Sequence, residues 1–363
     1  MAYTTIDNPA LFFNTVLYTG DLQDSDGTGH TQSITGVGFQ PDWVWHKGRS
    51  GARTHMLVDR VRGVSSYNWL ASSGDGAELT TNTNGAISSI DSDGITVQNG
   101  NDSSSKSNNA GKNGETWVFW NWLAGGSTSS NGNGSITSTV SVNSTSGFSI
   151  VSYVGGGASS ATVGHGLGAT PAMIIVKNRS ITEEWRVWHQ KLSGSTYKVS
   201  LNSSGAQDSS ATVFNGQSST TFTVGNDPSV SGSGNNIIAY CFKEVKGYSK
   251  FGGYTGNGST SGPFVYTGFK PAWVMMKRTN GSNSWNIFDN KRATDNPVQH
   301  RLFPDTTDAE ATSSGNAVDF LSNGFVGRSS GSTVNHDGGT YIYMAFAETP
   351  FVTEGTKAAG TAR

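Results

Sequence analysis

With 24 Lys+Arg against 26 Asp+Glu in 363 residues, the chain has no positive excess with which to hold a phosphate backbone, which argues against a nucleic-acid partner. Only 14% of its residues are charged while 48 are glycine, the composition of short strands joined by many turns, not of salt-bridged helices. The 34% apolar fraction is low, but 17 Phe, 11 Tyr and 10 Trp supply large buried areas per residue, so a packed all-β fold is expected in place of disorder.

The N-terminus MAYTTIDNPALFF has no basic leader region, and no apolar run approaches the roughly 20 residues of a membrane helix. Synthesis in a cytoplasm without standard export, and no membrane insertion, are the expectations. The lone Cys241 lies in the apolar run IIAYCF, where it reads as a small hydrophobe on a strand. Stability therefore rests on packing and on oligomerisation, not on disulfides.

Along the chain one segment occurs three times: PDWVWHKGRS from Pro41, PAMIIVKNRS from Pro171 and PAWVMMKRTN from Pro271. A glycine precedes each proline (Gly38, Gly168, Gly268), a lysine follows (Lys47, Lys177, Lys277), and the register runs ungapped to Asp59, His189 and Asp289. Three copies of one fold are expected, read as antiparallel β-sandwiches of jelly-roll-like type. The boundaries are 1–124 for copy one, 147–245 for copy two and 246–350 for copy three, with a tail at 351–363.

Each copy opens with an apolar-aromatic strand that ends near Tyr18, Tyr153 or Tyr254. The signature strand follows, apolar at both parities in WVW, MIIV and WVMM, and so predicted to be covered on both faces. A polar hairpin leads to a second strand (HMLV, WRVWH, WNIF), and the closing strands are WVFWNW, IIAYCF and YIYMAF. Opening and closing strands are expected to pair. Residues 125–146 read as a Gly/Ser/Thr-rich linker, flexible in its first half, with Ile136, Val140 and Val142 at even spacing pointing to an extra strand.

The signature lysines are expected where a buried strand emerges into solvent, or as ligands for an anionic sugar. Lys47, Arg49, Arg53, Arg60 and Arg62 form the densest positive segment. It is a candidate binding surface for acidic polysaccharide or protein, or else a set of arginines forking onto carboxylates across a domain interface. Trp43, Trp117, Trp120, Trp122 and Trp273 sit in the most apolar strands and are expected in the core. Trp69, Trp185 and Trp285 flank polar loops and are the candidate surface platforms for sugar rings.

No catalytic residue and no metal site is assigned. Asp59 and Asp289 align with His189, no second carboxylate recurs as glycosidase chemistry needs, and the seven histidines show no zinc-binding spacing. The DSDG turns at Asp24 and Asp91 lack the downstream ligands of a calcium loop. GHGLGA at Gly164 meets Pro171 where a nucleotide-binding helix would run, so no cofactor is expected.

The runs GFQPDWVWHKGRSGARTHMLVDRVRG, GATPAMIIVKNRS and GFKPAWVMMKRTNGSNSWNIFDNKR resemble a repeated β-domain of structural and tail-fibre-like proteins of marine tailed bacteriophages, cyanophages among them. The resemblance spans residues 12–350 and implies a virion component, often trimeric, with no enzymatic residues to carry over. Copy two departs from it, with Ala169 in place of Phe39 and Phe269 and Met173 in place of Trp43 and Trp273. The expected role is a tail or fibre protein that binds host-surface glycan multivalently as a homotrimer, in contact with other virion proteins. The alternatives are a capsid or tail decoration protein and, from another class, a polysaccharide depolymerase. The absence of coiled-coil heptads points to a compact lobe, not a shaft.

Overall fold

The computed structural model describes residues 3–64 and 67–353. The chain is nearly all β, 43% strand and 3% helix, in antiparallel sheets. Most of the expected tail at 351–363 falls outside the described residues.

The same pair of sheets is built three times. In each copy an inner sheet runs opening, closing, signature and return strand. These are Phe13–Thr19, Thr116–Trp122, Trp43–Gly48 and Met56–Asp59 in copy one. In copy two they are Phe148–Val154, Asn236–Phe242, Met173–Asn178 and Arg186–His189. Copy three has Ser249–Thr255, Thr340–Pro350, Phe269–Arg278 and Asn286–Asp289. The expected pairing of opening and closing strands holds, from Phe13 opposite Trp122 to Thr19 opposite Thr116 in copy one. An outer three-stranded sheet completes each copy: Thr31–Thr35, Gly94–Gln98 and Ala86–Asp91; Ala161–Gly164, Thr221–Val224 and Phe214–Gln217; Phe264–Tyr266, Gly324–Gly327 and Val318–Leu321. First strand pairs with last and second with next-to-last, the wrapping of a jelly roll, while the signature and return strands stay together as a hairpin in the inner sheet.

The two-sided apolar strands follow from strand periodicity, which sends successive side chains to opposite faces. Val44, Ile174 and Val274 enter three separate cores, each between the two sheets of its own copy. Trp43, Trp45, Met173, Ile175, Trp273 and Met275 point the other way, into one core shared by all three copies. Here Trp43 stacks on Tyr240 with ring centroids 4.4 Å apart, and Trp122 meets Trp273 edge-on at 5.6 Å. The three inner sheets thus surround a common centre in pseudo-threefold arrangement. The five tryptophans expected in the core are all buried. Met173 leaves the centre without a third equivalent indole, and Phe148 and Phe242, stacked at 4.6 Å, fill copy two's share.

The extra strand expected in the second half of residues 125–146 is present, and only the flexible first half needs correction. Ser129–Asn131 and Ser138–Asn143 are strands added to the inner sheet of copy two, which reaches eight strands. Val140 is buried in that copy's own core, so even spacing was the governing signal over Gly/Ser composition.

Candidate functional site

Three of the repeated positions, the lysine among them, meet at the contacts between copies. Lys47, Lys177 and Lys277 end the signature strands on the face of Trp43, Met173 and Trp273, and all three are fully buried. Each ammonium donates to a carbonyl of the neighbouring copy: Lys47 Nζ to Thr307 O at 3.1 Å, Lys177 Nζ to Asp75 O at 3.0 Å, and Lys277 Nζ to Ser204 O at 3.0 Å. Copy one thereby holds three, two holds one and three holds two, which closes a ring. Burial pushes Lys47 down to about 7 and Lys177 and Lys277 to about 8. The expected emergence into solvent is overturned, because a loop from another copy covers each strand end.

The register position of His55, Trp185 and Trp285 repeats the pattern. Trp185 Nε1 donates to Ala71 O at 2.8 Å and Trp285 Nε1 to Ser200 O at 2.9 Å, again from copy two to one and from three to two. In copy one, His55 Nδ1 accepts from Trp45 Nε1 at 2.8 Å, so its proton sits on Nε2 and is given to Phe303 O at 2.9 Å. Burial, with the Lys47 charge behind it, holds His55 neutral. Trp185 and Trp285 are therefore not sugar platforms: the polar loops beside them are sealed by the next copy. Trp69 is also withdrawn from the surface, packed in copy one's own core at 5% exposure.

At Asp59, His189 and Asp289 the contacts run in the opposite sense. Tyr240 donates its hydroxyl to Asp59 Oδ2 at 2.8 Å, and Trp120 Nε1 donates to Asp289 Oδ2 at 3.0 Å. His189 Nδ1 accepts from the Lys191 amide, which leaves Nε2 to donate to Tyr343 O at 3.1 Å. Each aspartate is also gripped by the arginine three residues on, Arg62 or Arg292, through side chain and backbone amide. Copy two has His189 with Leu192 at these positions, so acid and base were replaced together.

The positive segment of copy one is consumed in this framework. Arg62 and Arg179 both donate to Glu78, and Arg292 and Arg49 both donate to Glu310, giving two Arg–Glu–Arg bridges between copies. At Glu310 burial works against ionisation, yet the hydrogen bond from Arg49 and the charges of Arg292 and Arg49 hold its carboxyl at about 2. The third contact keeps the same backbone bond without the charges. Gln207 N donates to Thr279 O where Glu78 N meets Arg179 O and Glu310 N meets Arg49 O. Arg53 pairs with Glu115 and Arg60 with Asp42, both inside copy one. Each of the five cations has a partner within the chain, and Arg60 alone among them is exposed.

Sequence reasoning missed Tyr240, Glu78, Glu310, Arg179 and Arg292 as partners. One signal was legible: Arg49 aligns with Arg179, and Arg62 with Arg292. The glutamates had none, since they lie in loops whose lengths differ among copies. The lowered lysines and His55 lie inside sealed contacts between copies, where burial is the first cause, whereas at Glu310 the two arginines outweigh burial. Cys241 is likewise enclosed in copy two's core, where burial pushes its thiol up. Among the described residues no group of three or more His, Cys, Asp or Glu side chains could hold a metal ion.

A family model described as Domain of unknown function (DUF7483) matches residues 8–350, a span that takes in all three copies and both junctions. No curated protein and no solved structure matches the chain.

Proposed function

The chain belongs to the DUF7483 family, and from that premise we propose that it is a structural, non-enzymatic component of a tailed-bacteriophage virion, seated in the tail or a fibre, that meets host-surface glycan by multivalent binding. The observation that carries this reading is the closed ring of Lys47, Lys177 and Lys277, each donating to a carbonyl of the next copy. The repeated Lys, His/Trp and Asp/His positions serve cohesion between copies, which is what a particle component needs, while among the described residues no set of side chains recurs as a reaction centre. The resemblance of the signature runs to phage structural repeats points the same way. Other virion proteins of the tail or capsid are its partners, its place is the virion assembled in the host cytoplasm, and avidity comes from the number of chains mounted on one particle.

A decoration role on capsid or tail is the second reading, favoured by the three-lobed build with no long shaft element among the described residues. Antibody labelling of intact virions separates them. Label on the tail or its fibres is the expected result, label over the head supports decoration, and particles that contain no such chain overturn both.

A further inference from the structure

The outer sheets break the threefold pattern at one place. In each copy the first outer strand sends a buried residue to the core: Ile34 opposite Ile95, Val163 opposite Phe222, Val265 opposite Phe325. The residues on either side of it face away from that core. They are Ser33 and Thr35 in copy one and Thr162 and Gly164 in copy two, but Phe264 and Tyr266 in copy three. These two rings are 50% and 55% exposed. Packing does not call for them, because the same strand closes the same kind of core in the other copies with small residues at both positions. Two large adjacent exposed rings on a sheet face are a feature of binding surfaces.

A recess of about 360 Å³ adjoins Tyr266, lined also by Tyr3, Glu244, Lys246, Lys250 and Gly268. Tyr3 donates its hydroxyl to Gly268 O at 2.5 Å and lies 3.5 Å from the Tyr266 hydroxyl, so the two phenols are held side by side. Gly268 makes room for them: its φ is +83°, and a Cβ there would stand 3.1 Å from the Tyr3 oxygen. Glu244 is fixed by Lys250 Nζ at 2.9 Å, Gln190 Nε2 at 2.9 Å and the Phe251 amide at 3.1 Å. The exposed Lys246 places its ammonium 4.7 Å from the Tyr3 ring centre and has no carboxylate partner among the described residues. The rim therefore carries two ammonium groups against one carboxylate.

We propose that Phe264 and Tyr266, with the Tyr3 hydroxyl at their edge, form a stacking platform for a pyranose ring whose carboxylate is met by Lys246, that is, for a uronate unit of an extracellular polysaccharide. This deepens the glycan-binding reading above and rests on it. The axial C–H groups of a pyranose face carry slight positive charge and pack against the negative face of an aromatic ring, while phenol hydroxyls and the Gly268 region offer polar contacts at the ring's edge. A carboxylate on the sugar finds in Lys246 a cation without a carboxylate partner among the described residues. Such a site is weak alone and becomes effective through many chains on one particle.

The test is titration calorimetry of the intact chain with an oligomannuronate, using a dextran oligomer as the neutral control. The uronate is expected to bind, in a salt-sensitive way, and dextran far more weakly. Tyr266→Ala and Lys246→Ala are each expected to weaken uronate binding about tenfold with the melting temperature unmoved, since both side chains are exposed. Ser33→Ala, on the matching face of copy one, leaves binding unchanged. Absence of uronate binding, equal binding of dextran, or unaltered affinity in both the Tyr266 and Lys246 variants overturns the proposal. Virion labelling keeps the two claims apart: labelled particles with unchanged affinities sink the platform alone, and the expected affinity losses with unlabelled particles sink the virion reading alone.

Discussion

The Tyr240 hydroxyl of copy two reaches across to Asp59 of copy one and donates to Oδ2 at 2.8 Å, with both residues fully buried. The carboxylate also takes Arg62 and its amide, so the contact joins a charged fork in one copy to the closing strand of the next. Tyr240→Phe removes the hydroxyl and leaves the ring's packing on Trp43 in place. Asp59 then keeps its arginine but loses one buried donor, a change of about 1–3 kcal/mol. Chemical denaturation should show the loss. An unchanged midpoint means that Asp59 gains nothing from the neighbouring copy.

The shared core has its largest anchors at Trp43 and Trp273, both fully buried. Trp43→Ala and Trp273→Ala should each destabilise the chain by roughly 3–5 kcal/mol, as large-to-small core changes do. Thermal melts read this directly, and a variant with the parent melting temperature places that ring outside the core.

Acid should loosen the contacts between copies before it protonates ordinary carboxylates. Burial, with neighbouring Lys47 or Lys191 adding to it, lowers His189 at a contact between copies and His46 inside copy one, beside Tyr18 and Trp117, from 6.5 to about 3, and His55, at another contact, is lowered as well. Between pH 6.5 and 3 the unfolded chain binds these protons and the folded chain does not, so stability present above pH 6.5 is lost as pH falls. Each histidine contributes a slope of up to about 1.4 kcal/mol per pH unit. Urea midpoints at pH 7, 6, 5 and 4.5 should therefore fall steadily, and less steeply in His189→Gln, whose side-chain amide still donates to Tyr343. A flat profile over that range contradicts neutral burial of these rings.

Much of the architecture was legible because it is local. Gly-x-x-Pro and the following lysine located equivalent strands, and the apolar residues at both parities in WVW and WVMM announced cover on two faces. What lay beyond reach was the source of that cover. Lys47 looks like a strand end and Trp185 and Trp285 look like loop-side rings until Thr307, Ala71 and Ser200 arrive from other copies. Nothing local in the sequence encodes a contact between residues so far apart. Phe264 and Tyr266 were readable in principle, since aligning the outer strands sets them against Ser33 and Thr35, but short strands without a Gly-Pro landmark are hard to register.

One motive for a homotrimer, beside the avidity of weak sugar contacts and an anchored tail, is that strands apolar on both faces need more cover than one sandwich offers. Two neighbouring copies of the same chain supply that cover. Light scattering of the purified protein is expected to give one chain, 38.2 kDa. Three times that mass restores the homotrimer and requires a further interface on the outer sheets.

The central claim is that three copies fold as one unit around a common core, and scanning calorimetry tests it most directly. One transition is predicted, with calorimetric and van't Hoff enthalpies equal, and Trp273→Ala should lower that whole transition without splitting it. Three resolved transitions, of which Trp273→Ala shifts only one, would contradict the account and leave three independent sandwiches on a string.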